Sequence, residues 1–468
     1  MINIINTHPH MKCKLIIFAL VFFTISARSQ ELPLLKISEN QKYLVSQDNK
    51  PFLWLGGTAW ELIHRLTKEE IDIYLKDRAE KGFSVIQTVI IAELDGLNTP
   101  NAYGDKPLIN NDPGKLNESY FALVDHVVTR SEQLGLYVGL LPAWGDKFSK
   151  KWGTGPEIFN LKNAEKYGEL LAKRYLSCNN IIWILGGDRV PENKKHYSIV
   201  RAMAKGIREN DKRHLISYHP VGAKKASDFF NDDTWLDIDM FQSGHSRISR
   251  EYRYVQDSRK SGNTRPVVNG EARYENIPDR FWENEHYGWL DDADVRVSAY
   301  YSMLSGAAGY TYGCNDIWQM YDINREPIIS ARTDWEIALE LPGSSQMKFM
   351  KEIFMVFPWQ KMELNQSLIV NDNPENESYM LSAISENKDF IIAYTPTGKS
   401  IEIDLTKMNH GKVKAYWFNP RSGKMLYIGD FKTSTAYEFK PWSNGWGSDF
   451  LLFLVNVNSS YDFPGLND

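Results

Sequence analysis

The chain has 468 residues, of which 43% are hydrophobic and 24% are charged, the proportions of an ordinary globular protein with two or three domains. The formal net charge is −5 and no long basic run occurs, so nucleic acid and anionic membrane surfaces are poor candidates as partners. Beyond the amino-terminal segment there is no uninterrupted apolar stretch of about 18 residues, which argues against a membrane span in the mature chain.

The first 30 residues have the form of a secretory signal peptide. Lys12 and Lys14 supply a basic start, Leu15–Ile25 is an apolar run too short to span a bilayer, and Ser26–Gln30 supplies small residues for cleavage. No cysteine follows the apolar run, so a lipid anchor is not expected. We therefore predict that residues 1–30 are removed and that the protein is exported to the periplasm or the extracellular space, without a membrane anchor.

Between residues 31 and 357, apolar runs alternate with segments of helical periodicity. The predicted strands are Phe52–Leu55, Val85–Ile91, Leu136–Leu141, a run that begins at Ile181, Leu215–Tyr218, Ile238–Phe241, Val267–Asn269 and Gly309–Tyr312. The segments between them have helical signals; Thr67–Lys81, for example, opens with Thr67 and Glu70 at the positions of a capping box. Eight strands alternating with about eight helices predict an α/β fold, the (β/α)₈ TIM barrel. A doubly wound sheet is the rival fold, but no G-x-G-x-x-G phosphate loop follows the first strand.

Residues 358–468 have a different pattern. Short apolar segments, from Ser367–Val370 to Asp449–Asn456, are separated by turns such as the one at Asn419–Gly423. This spacing predicts a small antiparallel β-sandwich domain after the barrel. The sequence leaves two roles open for this domain: it binds glycan, or it braces the barrel.

Two strands of the predicted barrel each deliver an acid at the carboxyl end. Ile181–Arg189 reads IIWILGGDR and delivers Asp188, and Arg265–Glu271 reads RPVVNGE and delivers Glu271. The carboxyl ends of barrel strands open on one face, where catalytic groups are found. Hydrolysis of a glycoside requires two carboxyl groups, one to protonate the leaving oxygen and one to attack the anomeric carbon or activate a water. We therefore predict that these two acids face each other and cleave a glycosidic bond.

The residues around Asp188 carry further expectations. An isolated acid at a strand end is more often a helix cap or half of an ion pair, and it is the repeated glycine–acid ending on one barrel face that favours catalysis. Gly186 and Gly187 are expected to leave room for a sugar to approach Asp188. Arg189 would lower the pKa of Asp188, which does not suit a general acid, so its guanidinium is expected to point to a backbone carbonyl or to another acid.

Polar and aromatic residues gather at the other predicted strand ends, where they are expected to bind sugar hydroxyls and to stack on sugar rings. These candidate substrate-binding residues are Trp60, His64, Gln87, Trp144, His219, Gln242, Tyr274, Glu275 and Tyr312. Other hydrolase chemistries are not supported, because the sequence has no G-x-S-x-G, no H-E-x-x-H and no His-x-His pair after the first strand. We expect no metal and no cofactor, an oligosaccharide or polysaccharide substrate, and no obligate protein partner.

Of the three cysteines, Cys13 lies in the signal peptide. The barrel prediction places Cys178 at the bottom face and Cys314 at the top face. A disulfide needs Cα atoms within about 7 Å, so we predict two free thiols.

Three segments of the chain resemble a known family. Trp54–Leu62 (WLGGTAWEL), Ile181–Arg189 and Asn269–Glu275 (NGEARYE) are similar to segments of the apiosidase-like glycoside hydrolases, the glycoside hydrolase family 140 type. The resemblance covers roughly Tyr43–Asn456 and implies a catalytic barrel followed by a "putative collagen-binding" sandwich. It also implies exo-acting removal of apiose or a related sugar from side chains of plant pectin, in rhamnogalacturonan.

The resemblance also assigns roles to the two acids. It implies that Asp188 is the general acid/base and Glu271 the nucleophile of a retaining glycosidase. The family usually reads G-D-T-A-W after the first strand, and here Gly57 replaces the acid. That acid is expected in or near the sugar pocket, so its loss predicts a different sugar or a weakened activity. Gly57 also motivates an alternative hypothesis, a non-catalytic glycan-binding protein on a decayed barrel scaffold.

Overall fold

The computed structural model describes residues 31–262, 264–409, 411–459 and 461–463, and the predicted signal peptide lies outside the described residues. Ahead of the barrel, a small antiparallel sheet is formed by Leu35–Ile37, Leu44–Ser46 and Pro51–Phe52. Phe52 pairs with Leu44 in this sheet, and the first barrel strand begins only at Trp54. The prediction that a barrel strand starts at Phe52 is therefore wrong by two residues.

Within the described residues, eight parallel strands form the barrel. They are β1 (Trp54–Thr58), β2 (Val85–Ile91), β3 (Tyr137–Ala143), β4 (Ile181–Gly186), β5 (Ile216–His219), β6 (Asp239–Gln242), β7 (Val267–Glu271) and β8 (Gly309–Tyr312). Neighbours pair in the order β5-β4-β3-β2-β1-β8-β7-β6, and a bridge between Ser217 and Ile238 joins β5 to β6. A short strand, Lys224–Lys225, adds antiparallel to β6. The predicted TIM barrel is confirmed.

Helices cover the outside of the barrel. The longer ones are α1 (Lys68–Glu80), α2 (Glu118–Gln133), α3 (Leu161–Tyr175), α4 (Lys194–Asn210), α5 (Glu251–Lys260), α6 (Asp292–Leu304) and α7 (Pro342–Val356). Single-turn helices lie at Leu62–Arg65, Ser227–Phe230, Asn315–Trp318 and Trp335–Ala338. The helix α1 begins as predicted: the Thr67 side chain accepts the N–H of Glu70, and the Glu70 carboxylate accepts the N–H of Thr67.

Alternation along the strands separates an inner core from an outer one. In β1, Trp54 belongs to the inner cluster together with Ile184 and Val268, whereas Leu55 belongs to the outer cluster that includes Leu75 of α1. Both clusters are almost fully shielded from solvent. The barrel interior is therefore a packed core rather than a channel, and a ligand site has to lie at the strand ends.

The described part of the carboxyl-terminal region contains two antiparallel sheets. Its strands are β9 (Met362–Leu364), β10 (Leu381–Ser385), β11 (Phe390–Thr395), β12 (Ile401–Asp404), β13 (Lys412–Asn419), β14 (Lys424–Lys432), β15 (Ala436–Phe439) and β16 (Phe450–Asn456). One sheet has the order β9-β10-β11-β16-β13-β14, and β12 pairs with β15 in the other. The predicted strand Ser367–Val370 is wrong, because Gln366–Leu368 is a 3₁₀ turn in which the Asn365 side chain accepts the N–H of Ser367.

Both faces of the larger sheet are buried. Along β11, Ile391 belongs to the core between the two sheets, whereas Ile392 and Tyr394 belong to the core that the sheet shares with the barrel. The ring of Tyr394 lies 5.0 Å from the ring of Tyr300 in α6. The second face of the sheet therefore packs on the barrel instead of facing water.

A buried ion pair crosses the same interface. The Arg296 Nε lies 3.0 Å from each carboxylate oxygen of Asp449, and both side chains are 1% exposed. The Tyr394 hydroxyl donates to Oδ2 of Asp449 at 3.0 Å. Packing and charge pairing of this kind are typical of a fixed interface between domains. They favour the hypothesis that the sandwich braces the barrel over the hypothesis that it is a mobile glycan-binding module.

The two cysteines of the described residues, Cys178 and Cys314, are unpaired, as predicted. None of the described helices has both the length and the apolar character required to cross a bilayer.

Candidate active site

The carboxyl ends of the barrel strands open into a cavity of about 1470 Å³. Asp188 and Glu271 both line this cavity. The side chain of Asp188 is 22% exposed and that of Glu271 is 7% exposed, so both carboxyl groups are largely withdrawn from water. The structure thus brings the two acids, which lie far apart in the chain, to one site.

Three consecutive residues at the end of β4 have a left-handed backbone conformation. The angle φ is +93° at Gly186, +101° at Gly187 and +53° at Asp188. A Cβ at Gly186 would lie 2.5 Å from the carbonyl oxygen of His219, and a Cβ at Gly187 would lie 2.8 Å from the backbone nitrogen of Gly145. The glycines are therefore needed for close backbone packing, and the expectation that they make room for a sugar is corrected.

Arg189 points away from the carboxyl group of Asp188, as predicted. Its Nε, Nη1 and Nη2 donate to the carbonyl oxygens of Ser149, Asp188 and Lys150, respectively. The guanidinium carbon lies 4.1 Å from the ring centre of Trp152, and Nη1 approaches the Asp188 Oδ2 only to 3.7 Å. Arg189 therefore ties together the loops after β3 and β4, and its charge acts on Asp188 without a direct hydrogen bond to the carboxylate.

Glu271 ends β7 and is held by two histidines. The His245 Nε2 forms a hydrogen bond with Oε1 at 3.0 Å, and the His219 Nε2 lies 3.0 Å from Oε2. The Asp188 N–H donates to Nδ1 of His219 at 3.2 Å. Because Nδ1 is the acceptor, the ring proton of His219 lies on Nε2 and faces Glu271. His219 thus connects the two acids.

The two carboxyl groups have pKa values displaced in opposite directions. Burial raises the pKa of Asp188 to about 7, and the charge of Glu271 adds to the rise, although the nearby histidines and Arg189 oppose it. Burial alone would also raise the pKa of Glu271, but the contacts with His219 and His245 outweigh it and lower that pKa to about 2. In the pH range between these two values, the site holds one protonated and one ionised carboxyl group.

Four of the predicted substrate-binding residues line the cavity: Trp60, Trp144, Gln242 and Tyr274. The rings of Trp60 and Trp144 lie 5.2 Å apart, and the indole N–H of Trp60 donates to the Tyr274 hydroxyl at 3.2 Å. The Trp144 N–H and the side-chain oxygen of Gln242 are buried without a hydrogen-bond partner among the described residues. This wall therefore combines apolar ring faces with polar groups whose hydrogen bonds are unused.

Exposed aromatic residues surround the mouth of the cavity. Trp152, Phe281 and Trp282 line it and are 60%, 39% and 56% exposed. Large exposed rings beside a site mark a binding surface for an apolar face, and the C–H face of a sugar ring is one. No local sequence pattern marks these residues, because they lie in loops beyond the strand ends.

Two predicted substrate-binding residues lie beneath the site instead of in it. His64 Nδ1 contacts the buried Glu61 carboxylate at 2.6 Å. Gln87 points into the barrel interior, where its amide donates to the carbonyl oxygen of Gly270 at 2.8 Å. Neither residue lines the cavity. His64 follows β1, whereas Gln87 is the third residue of β2, and in both cases the backbone turns the side chain toward the protein core.

Glu275 and Tyr312 also lie outside the cavity, where they bind each other. The Tyr312 hydroxyl donates to the Glu275 Oε2 at 2.7 Å, and the N–H of Gly343 donates to Oε1 at 3.0 Å. Burial raises the pKa of Glu275 to about 7. This pair connects the segments after β7 and β8 to α7. His219 likewise does not line the cavity and contacts the site through Glu271 and the backbone of Asp188.

A third carboxyl group, which was not predicted from the sequence, faces the cavity. Glu93 follows β2 by two residues and lines the cavity with Asp188 and Trp60. The available signal was the position of an acid directly after the run Val85–Ala92. It was overlooked because no glycine precedes Glu93 as one precedes each of the other two acids.

The expectation for position 57 is corrected by the structure. A Cβ at Gly57 would lie 3.2 Å from the Tyr74 hydroxyl and 3.3 Å from the ring of Phe83. These groups belong to the outer core between β1 and α1, on the side of the strand that faces away from the cavity. An acid at this position would therefore not reach a bound sugar, and Gly57 gives no reason to expect a decayed site.

A parallel barrel with two carboxyl groups lining one cavity at its carboxyl end has the architecture of a glycoside hydrolase. A family model described as "Apiosidase-like, catalytic domain" matches residues 38–361, and the chain belongs to this family. A second model, "Putative collagen-binding domain of a collagenase", matches residues 365–455. The protein is a glycosidase, and its substrate is therefore a carbohydrate.

Solved structures agree with this assignment. A protein described as "Glycoside hydrolase" has a TM-score of 0.85 and 30% identity, over 92% of this chain and 98% of that one. A glycoside hydrolase family 5 protein from Bacteroides vulgatus has a TM-score of 0.84 and 31% identity, over 92% of this chain and 95% of that one. A putative glycoside hydrolase from the same organism shares the fold at 14% identity, with a TM-score of 0.67 over 92% and 84% of the two chains. A comparison with curated proteins finds no match.

Proposed function

We propose that the protein is an exported, exo-acting, retaining glycosidase that removes apiose or a related sugar from the side chains of pectin. The observation that carries the proposal is the convergence of Asp188 and Glu271, from the carboxyl ends of β4 and β7, on one cavity. The opposite directions in which their pKa values are displaced support it. The sugar, the pectin polymer and the exo action are proposed from the apiosidase-like family, and export is proposed from the signal-like sequence of residues 1–30.

In the first step of the proposed reaction, Glu271 attacks the anomeric carbon and the bond to the leaving oxygen breaks. Asp188 gives its proton to that oxygen, so the leaving group departs as an alcohol and Glu271 is bonded to the sugar. The lowered pKa of Glu271 keeps the nucleophile ionised, and the raised pKa of Asp188 keeps the acid protonated.

In the second step, the Asp188 carboxylate takes a proton from a water molecule, whose oxygen attacks the same anomeric carbon. The bond to Glu271 breaks, the sugar is released, and Asp188 is again protonated. Loss of the Glu271 charge in the intermediate lowers the pKa of Asp188, because that charge is one of the causes of its elevation. The same residue therefore suits the role of acid in the first step and base in the second.

The proposal is tested by incubating the purified protein with a panel of pectin oligosaccharides, including rhamnogalacturonan fragments that bear apiose. We expect release of a single terminal sugar, with the first-formed anomer having the configuration of the substrate in an NMR time course. A Glu271→Gln variant is the control for contaminating activity. Release of internal fragments would contradict exo action, and the opposite first-formed anomer would contradict retention.

The same panel separates this function from the alternative of a non-catalytic glycan-binding protein. Binding by calorimetry without any release of sugar from any panel member would favour the alternative. Since position 57 lies behind β1, no described feature of the cavity now favours a binding role alone.

A further inference from the structure

Glu93 is a cavity-lining acid that the two-carboxylate mechanism does not use. It lies two residues beyond the end of β2 and lines the same cavity as Trp60, Trp144 and Asp188, and it is close enough to Asp188 for the two carboxyl groups to influence each other. Among the described residues, no hydrogen bond and no ion pair reaches its carboxyl group. Glu93 is half-buried and lines the cavity, so both of its carboxyl oxygens are available to form hydrogen bonds with a ligand there.

The backbone that carries Glu93 is fixed from below. The carboxylate of the buried Glu61 accepts the N–H of Leu94 at 3.1 Å and contacts the His64 Nδ1 at 2.6 Å. The other ring nitrogen of His64 lies 3.1 Å from the carbonyl oxygen of Thr99, farther along the same loop. These contacts give His64 and Glu61 a function, because they hold the loop after β2 in one position and preorganise the Glu93 side chain.

The charges around Glu93 favour its neutral form. Burial raises the pKa of Glu93 to about 8, and the charge of Asp188 adds to the rise. Arg189 opposes this effect, while the acids Asp146 and Glu61 contribute to it. Near neutral pH, Glu93 is therefore a carboxylic acid, with one oxygen able to donate a hydrogen bond and the other able to accept one.

We propose that Glu93 binds substrate directly, donating a hydrogen bond from its carboxyl group to one hydroxyl of the sugar beside Asp188 and accepting one from a neighbouring hydroxyl. This inference rests on the proposed placement of the cleaved sugar between Asp188 and Glu271. It makes Glu93 a specificity-determining residue, because only a sugar with two adjacent hydroxyl groups on that side satisfies both oxygens.

The experiment compares the wild type with Glu93→Gln and Glu93→Ala. Each protein is assayed with the 4-nitrophenyl glycoside that the wild type cleaves fastest, chosen from a panel of pentosides and hexosides. KM and kcat are measured from pH 5 to pH 10, and thermal melting checks the fold. The panel includes sugars that do not occur in pectin, so failure of the pectin assignment and failure of the Glu93 proposal remain distinguishable.

An amide is neutral, donates and accepts, and has the shape of a protonated carboxyl group. At pH 6 we therefore expect Glu93→Gln to keep KM within about threefold of the wild type and Glu93→Ala to raise KM about tenfold. Above pH 8 the wild-type acid loses the proton that it donates, so its KM should rise, whereas the KM of Glu93→Gln should stay constant. Glu275→Gln is the matched control, since the buried Glu275 also has a raised pKa but lies outside the cavity; it should keep the wild-type pH dependence of KM.

Two outcomes would overturn the proposal. If Glu93→Gln were as impaired as Glu93→Ala, the ionised form of Glu93 would be the functional one. If neither variant changed KM, Glu93 would not bind substrate. Should Glu93→Ala fail to fold, the comparison of the wild type with Glu93→Gln across the pH range decides the question alone.

Discussion

The mouth of the barrel and the interface with the sandwich both bury carboxyl groups, but their surroundings differ. At the interface, Arg296 donates to both oxygens of Asp449, and the Tyr394 hydroxyl donates to one of them. At the mouth, Asp188 has an arginine only at 3.7 Å, and Glu93 has no partner among the described residues. Complete pairing makes the first group a structural link. Incomplete pairing leaves Asp188 and Glu93 with raised pKa values and with carboxyl oxygens that can form hydrogen bonds with a ligand.

Removing either acid of the mouth should give the largest effect. Asp188→Asn and Glu271→Gln should each lower kcat by a factor of about 10² to 10⁴ or more, because one removes the proton donor and the other the nucleophile. Asp188→Asn should not lower the melting temperature, whereas Glu271→Gln removes a charge that His219 and His245 stabilise and should lower it modestly without unfolding the protein. The measurement is kcat on the best pectin oligosaccharide together with a thermal melt. A variant with near-wild-type turnover would remove that acid from the mechanism.

The reciprocal change at the interface should affect stability instead of turnover. Asp449→Ala removes the carboxylate that Nε and Nη2 of the buried Arg296 contact and leaves Asp292 on Nη1, which should lower the free energy of unfolding by about 3 kcal/mol. Urea denaturation measures this loss, and kcat per folded molecule should be unchanged. The double variant Arg296→Met with Asp449→Leu is the control, because it removes both charges and should recover much of the stability. A loss of turnover in folded Asp449→Ala would show that the two regions are not separable.

The pH dependence of turnover should reflect the titration of the acids at the mouth and not that of the acids at the interface. Asp188 must be protonated to act as an acid, so kcat/KM should fall about tenfold per pH unit as the pH rises above about 7. Glu271 must be ionised, and its pKa of about 2 means that activity should not fall between pH 6 and pH 4 for this reason. A rate profile from pH 4 to pH 9 on folded enzyme tests both statements. Activity that increases from pH 6 to pH 8 would contradict the role of Asp188 as the acid.

A smaller effect is expected at the rim of the mouth. Trp152→Ala removes an exposed ring that the Arg189 guanidinium supports, and KM for an oligosaccharide should rise about three- to tenfold. KM for a 4-nitrophenyl monoglycoside should change less, because fewer sugar rings reach the rim. Trp442 on the sandwich is 55% exposed but does not line the cavity, so Trp442→Ala is the matched control. Equal effects of the two substitutions would argue against stacking at the rim.

The barrel and its two acids were predictable from sequence because both signals are local. An apolar run that ends in glycine and an acid places that acid at a strand end, and Asp188 and Glu271 follow this rule. The same reasoning gave Trp60, Trp144, Gln242 and Tyr274 correctly as residues at the mouth. It could not give Trp152 or Glu93, which lie in loops without such a signal.

Other sequence predictions failed because position along a strand does not fix the direction of a side chain. His64, Glu275 and Tyr312 lie near the carboxyl ends of strands and Gln87 lies within β2, but each side chain turns into the protein and finds a partner there. Position 57 shows the same limitation, since a side chain placed there would point to α1 and not to the cavity. Loop geometry and strand register decide these directions, and they are properties of the assembled barrel.

The sequence by itself determined the barrel, the sandwich that follows it, and the two carboxyl groups that a glycosidase needs. Apolar periodicity and a glycine–acid ending each involve only a few consecutive residues, so both can be recognised in a single sequence. The tertiary structure alone decided in which direction each pKa is displaced, which acids are paired, and that a third acid lines the cavity. Burial and the distance to His219, His245 or Arg296 set those states, and such distances exist only after segments remote in the sequence have packed together.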